Sequence, residues 1–398
     1  MNETSRPTPL SRRASADRPG SSASVRTNGR ACRSATGLAA ALAATLISAC
    51  NTAPTTSAVG PEKVRSLIVQ QIPPSVEDRS GWALDIYAAF NALGLDPSSR
   101  NICAVLAVID QESTYQADPK VPGLGRIARE EIDRRAERAG IPLILVQAAL
   151  ALHSPDSRTW NERIASVQTE KQLADVYEDF ISEVPLGSRL LESHNPIRTG
   201  GPMQVSVDFA QAEVKKRPYP YRMAGSLRDE VFSRRGGVYF GIAHLLDYPV
   251  HYDRMLYRFA DFNAGQYASR NAAFQSAVAS LSGVGLDFDG DVLPRGADTR
   301  QALPGSTEAA VRSLGSRIGL DDEQIHEDLE QHATPSFEQT RVWTRVFELA
   351  DAAAGHPVPR AILPRIRLHS PKITRPRTTE WYARRVDEHF QRCQRHGS

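Results

Sequence analysis

Asn101–Tyr115 reads NICAVLAVIDQESTY. Ile102, Val105, Leu106 and Ile109 fall at i, i+3, i+4 and i+7, the spacing of one apolar helix face. Three residues further along that stripe stands Glu112, followed at once by Ser113. A carboxylate at the end of an apolar stripe loses hydration on folding. That loss disfavours the charged form and moves the pKa toward the range of a general acid. The Ser113 hydroxyl is within reach of the carboxylate or of the next turn. The plainer alternative is a helix-end glutamate that faces water.

Two helices are expected upstream, Glu62–Ile72 and Ser80–Leu93, separated by the Pro73-Pro74 break. Trp82, Ile86, Tyr87 and Phe90 give the second an apolar face. Downstream, Arg126–Gly140 reads as a charged helix that stops at a glycine, Ile141–Leu152 as an apolar helix with Pro142 in its first turn, and Thr169–Ile181 as a third. Two tight turns follow. Gly200-Gly201-Pro202-Met203-Gln204-Val205-Ser206 leads into a helix at Val207–Val214, and Phe259-Ala260-Asp261-Phe262-Asn263-Ala264-Gly265 closes another. A Gly/Asp/Pro-rich loop at Gly283–Gly305 precedes helices at Ser306–Gly319, Asp321–His332 and Ser336–Ala354. The chain then runs through a Pro-broken, basic stretch into a last helix near Thr379–Cys393.

A helix ending in Glu-Ser, a Gly-x-Met-Gln turn and an aromatic-Asn-Ala-Gly turn, in that order, resemble the motifs of the soluble lytic transglycosylases of the lysozyme-like superfamily. The likeness covers Ile102–Gly265 only. The surrounding sequence also resembles an uncharacterised family of bacterial outer-membrane lipoproteins. The first resemblance implies an all-α, lysozyme-like helical domain over 62–282, with a large helical insert at 114–199 and a helical C-terminal extension over 283–398. It also implies that Glu112 is the single catalytic acid and base in cleavage of the bond between N-acetylmuramic acid and N-acetylglucosamine in peptidoglycan glycan strands. Ser113, Asn195, Met203, Gln204, Phe262 and Asn263 would contact the sugar: Met203 from beneath, Gln204 through its acetamido or hydroxyl groups.

The chain departs from that family at four points. Pro202 stands where a Leu is usual, Asn195 where a Ser is usual, and Phe262 where a Tyr is usual, so a phenol hydroxyl is missing. The 87 residues between Glu112 and Gly200 replace a short connection. The insert would form a wall of the groove, a lid over it, or an obstruction in it. These departures support the alternative, a non-catalytic envelope lipoprotein that binds glycan or assists uptake of a peptide or other solute. His244, His251 and Tyr252 read as hydrogen-bonded structural groups. Lys215-Lys216-Arg217 with Tyr219 and Tyr221 form either a solvated surface or a basic, aromatic rim for an anionic glycan.

Residues 1–50 read as an export signal. Residues 1–33 carry seven Arg against Glu3 and Asp17, and Ala35–Ala49 is apolar but shorter than a membrane span. The run ends Ile47-Ser48-Ala49-Cys50, which resembles a bacterial lipobox. That implies a lipid-modified (palmitate-bearing) Cys50 at a new N-terminus, and Asn51 in place of Asp favours the periplasm-facing outer membrane. Residues 51–61, rich in Thr, Ser, Ala and Pro, read as a tether.

Beyond residue 50 there are 41 Lys and Arg against 44 Asp and Glu. The near-neutral balance gives no reason to expect a nucleic-acid partner. The expected partners are peptidoglycan, the membrane through the lipid, and a further envelope protein of unknown identity. No phosphate loop, paired-His metal spacing or repeat is present, so neither cofactor nor metal is expected. Cys103 and Cys393 are the two cysteines past Cys50. In an oxidising envelope a disulfide between them is expected; the alternative is one buried and one free thiol.

Overall fold

The computed structural model describes residues 60–183, 195, 197–223, 225–294, 303–368 and 377–396. The signal segment, Cys50 and most of the tether lie outside these residues. The described residues belong to one unit, Ala58–Ser398. Its fold is all-α; two two-residue strand pairs are the only sheet among the described residues.

The Ser99–Ser113 helix is the centre of the first core. Ser98 caps its N-terminus, accepting from the Asn101 amide at 3.4 Å. The expected stripe proves to be part of something wider. Every residue from Ile102 to Ile109 is buried, because Cys103, Ala104, Ala107 and Val108 make the remaining faces small or apolar as well. A helix apolar all round is packed on all sides. It shares this core with Pro61–Gln71, Arg79–Leu93, Arg234–Leu246, Met255–Ala264 and the last helix, Thr379–His396.

The Gly200–Ser206 turn is held by a short antiparallel pairing, Thr199 with Ser206 and Gly200 with Val205. It seats on the Arg234–Leu246 helix, whose glycines leave a notch. A Cβ on Gly241 would overlap the Met203 side chain, and one on Gly237 would overlap the Pro202 ring. Pro202, out of pattern by sequence, therefore fits a neighbour that makes room for it. Gly201 has φ +72°, and a Cβ there would strike the Val231 carbonyl, so only glycine suits the turn.

Two further cores flank the first. Residues 124–183 form their own cluster around Leu124, Trp160, Ile164 and Leu173. It includes a helix at Trp160–Ser166 that periodicity did not reveal and that a Thr159/Glu162 capping box starts. This insert docks through Arg228–Glu178 at 3.0 Å and Lys171–Asp229 at 3.6 Å, against the short helix Leu227–Phe232. The other core joins Ala268–Ser282 to the helices between Ser306 and Ala354, around Phe274, Phe337, Trp343 and Phe347.

The first core and the one around Phe274 each draw residues from both sides of residue 283. Phe274 and Val278 face the second core, whereas Tyr382, Ala383, Val386 and Phe390 return to the first. Within the Gly/Asp/Pro-rich stretch, Val292 and Leu293 are buried in the second core. The expected Ser306–Gly319 helix breaks at Leu314, and the one from Ser336 opens as a 3₁₀ turn before Thr340 caps Arg341–Ala354.

Candidate functional site

Glu112 lies in the last turn of the central helix, which Thr114 ends with φ +50°. Its carboxylate accepts a hydrogen bond of 2.5 Å from the hydroxyl of Tyr382, 270 residues away. The Tyr382 ring is buried in the core. Burial, then the charge of Glu112, hold its phenol well above the ordinary range. It therefore stays protonated and serves as a fixed donor. One turn earlier, the Thr379 hydroxyl donates to the Asn263 side-chain oxygen at 2.8 Å. Glu112 and Asn263 are thus both held by the first turns of the C-terminal helix.

That helix reads as a single stripe: Thr379, Tyr382, Val386, His389 and Cys393, at i, i+3, i+7, i+10 and i+14. Its contacts descend the central helix in reverse order. Tyr382 meets Glu112, His389 bonds to Asp110, and Cys393 is bonded to Cys103, with 5.5 Å between their Cα atoms. The two helices therefore run antiparallel. Asp110, turned away from Glu112 by helix geometry, is committed to the same neighbouring helix. None of Thr379, Tyr382 and His389 was identified from the sequence. The available signal was the i, i+7, i+11 spacing of Tyr382, His389 and Cys393, which indicates a shared face but not its partner.

The residues expected to contact a sugar are placed unequally. Met203 is fully buried beneath its turn and supports it from the core, out of reach of a ligand. Gln204 is half-buried, in the left-handed region at φ +51°, and its amide reaches back to the Gly201 carbonyl at 3.4 Å. Ser113 spends its hydroxyl on the Ile109 carbonyl at 3.0 Å, inside its own helix, and does not bond the carboxylate. Asn195 is buried and accepts from the Ile197 amide at 2.9 Å, so its oxygen shapes a local turn. Asn263 is exposed beside Thr379, and Phe262 is half-buried.

Phe262 is positioned from below by two polar groups. Its carbonyl pairs with His244 Nε2 at 3.2 Å, and the His244 ring lies between those of Phe262 and Phe209. The preceding residue, Asp261, is fully buried. It accepts from the hydroxyls of Tyr252 (2.8 Å) and Tyr248 (3.1 Å) and from the amides of Tyr267 and Ser269. These four donors offset the cost of burying a carboxylate and fix the turn that presents Phe262 and Asn263. His244 and Tyr252 are structural; His251 faces solvent beside Glu338. The basic, aromatic rim does not form. Arg217 pairs with Glu213 and Asp247, and Tyr219 donates to Glu230 and stacks on Phe240.

Burial pushes the His244 pKa down to about 4. The unfolded chain then takes up a proton near pH 6.5 that the folded chain refuses until about pH 4. Stability should fall as pH drops through that window and be unaffected by this group above it. Between pH 7 and pH 4.5 the loss from His244 should be on the order of 2–3 kcal/mol. Urea titrations should find a clearly smaller loss in His244→Gln; equal losses in both proteins would assign the acid sensitivity elsewhere.

A groove of about 710 Å³ opens beside the pair of helices, lined by Asp110, Gln111, Thr114, Trp381, Glu388, His389 and three arginines, Arg377, Arg384 and Arg385. Glu112 is not among its lining residues. No helix among the described residues is long and apolar enough to cross a membrane, and none of their His, Cys, Asp and Glu side chains cluster in a metal-holding group.

A helical body whose central helix ends in a carboxylate held by a distant tyrosine, with a disulfide fastening the same two helices, describes the architecture without assigning an activity. The chain belongs to the DUF1615 family, described as a protein of unknown function, whose model matches residues 75–396. That span takes in both flanking cores and the C-terminal helix. The chain is 52% identical over 330 residues to the uncharacterized protein YaiW of Escherichia coli (strain K12), covering 83% of this chain and 89% of YaiW. No solved structure matches.

Proposed function

We propose that this protein is a lipid-anchored lytic transglycosylase that cleaves peptidoglycan glycan strands with a single carboxylate, Glu112. The observation that carries the reading is the 2.5 Å bond from Tyr382 to Glu112. The motif position at 262 lacks a phenol hydroxyl; Tyr382 supplies one to the carboxylate from another helix. Protonated Glu112 donates to the glycosidic oxygen as the bond to C1 of the muramyl sugar breaks. The resulting carboxylate takes the proton of the muramyl 6-hydroxyl, whose oxygen closes on C1 as a 1,6-anhydro ring. Tyr382, a donor at either stage, orients the carboxyl. Asn263, held by Thr379, is the polar contact for the sugar. The lipobox-like Ile47–Cys50 supports attachment to the outer membrane, facing the periplasm.

Incubation with purified peptidoglycan tests this: 1,6-anhydromuropeptides should appear, and Tyr382→Phe should slow their release by about 10–100-fold, the value of one hydrogen bond to a charged group. A Tyr382→Phe rate equal to wild type would remove Tyr382 from the mechanism. The competing reading, a binding protein without cleavage, is favoured by the groove, which opens on Asp110 and the arginines and not on Glu112.

A further inference from the structure

Between Arg138 and Asp156 there is no Asp, Glu, Lys or Arg. Within this stretch, the Leu143–Leu150 helix buries only Leu150. Ile141, Leu143, Ile144, Leu145 and Leu152 are all exposed, Ile144 by 69% and Leu152 by 64%. These are five of the eleven exposed large apolar residues among the described ones, gathered into twelve consecutive positions. Single exposed leucines need no explanation, but a contiguous aliphatic surface does.

The last turn of the helix that leads into this segment is cationic. Arg134, Arg135 and Arg138 all converge on Glu131, at 2.9, 2.8 and 3.3 Å. Exposed Glu137 is the other carboxylate in that turn. Three guanidiniums carry far more N–H donors than one shared carboxylate can accept, so donors remain for a further anion. Arg158 stands at the other end of the segment, paired with Asp156 at 2.6 Å.

From this geometry we infer that Ile141–Leu152 is a membrane-contact element: its aliphatic side chains enter the interfacial layer of a bilayer while Arg134, Arg135 and Arg138 meet lipid phosphates. A protein partner is normally specified by aromatic anchors and paired polar groups. This surface has no aromatic residue, and Gln147 is its one polar side chain beyond the backbone. Aliphatic chains above a basic rim match an interfacial segment. The inference goes beyond the proposed reaction and does not need the lipid.

The chain from Asn51 onward contains all three cores and both bonded cysteines and lacks signal and lipid, so it isolates this contact from the anchor and from catalysis. It should co-sediment with phosphatidylglycerol–phosphatidylethanolamine vesicles more than with phosphatidylcholine vesicles. Ile144→Asp with Leu145→Asp should weaken that binding at least about tenfold at an unchanged melting temperature, because two charges oppose insertion. Arg134→Gln with Arg138→Gln should abolish the preference for anionic lipid. A polarity-sensitive dye on Ile144→Cys should shift to the blue when vesicles are added. Binding that survives the double Asp variant, an unshifted dye, or no vesicle binding at all would overturn the inference. A dimer in light scattering that the double Asp variant dissociates would overturn it in favour of a second copy of this chain.

Discussion

Glu112→Gln should reduce the release of 1,6-anhydromuropeptides from purified peptidoglycan by about 10²–10⁴-fold. The amide keeps the shape of the carboxyl and still accepts from Tyr382, so the 2.5 Å contact and the helix around it should survive. What is lost is the proton that the glycosidic oxygen requires and the base that the 6-hydroxyl requires. A circular dichroism melt matching wild type would show that the loss is chemical. Two outcomes would redirect the assignment. Products with reducing ends would make the enzyme a hydrolase, with water in place of the 6-hydroxyl. Glycan bound equally by wild type and Glu112→Gln, with neither cutting it, would make the protein a binder.

Opening the Cys103–Cys393 bond should have the largest effect on stability. The bond closes a loop across 290 residues. On the chain-entropy model, constraining so long a loop in the unfolded state is worth roughly 5 kcal/mol. Cys393→Ser should therefore lower the melting temperature by roughly 10 °C. It should also lower activity, because the same helix carries Tyr382 to Glu112 and Thr379 to Asn263. A reductant should bring wild type down to the level of Cys393→Ser and leave the variant unchanged. Stability lost without activity would mean that packing of Val386 and Phe390 alone keeps the helix in place.

The helical segments were legible because their signals are local. The Ile102–Ile109 periodicity, the Pro73-Pro74 break and the Gly140 stop each act within a few residues. The same logic missed Trp160–Ser166 and Leu227–Phe232, two short helices set by capping boxes, with too few turns for a period to show. It misread Ser113, whose hydroxyl turns back to a carbonyl four residues earlier, as Ser does inside helices. Pro202 departs from the motif, and Gly237 leaves the space that its ring fills.

By itself the sequence determined that the body is all-α, that Glu112 stands at the end of an apolar helix stripe, and that two cysteines remain beyond Cys50. Tertiary structure alone decided what the carboxylate meets. Tyr382 and Glu112 are 270 residues apart, and no period or motif couples residues at that distance. Their contact depends on an antiparallel pairing of two helices set by buried faces on both, and the face that Thr379–His396 presents becomes meaningful only once the central helix is there to receive it.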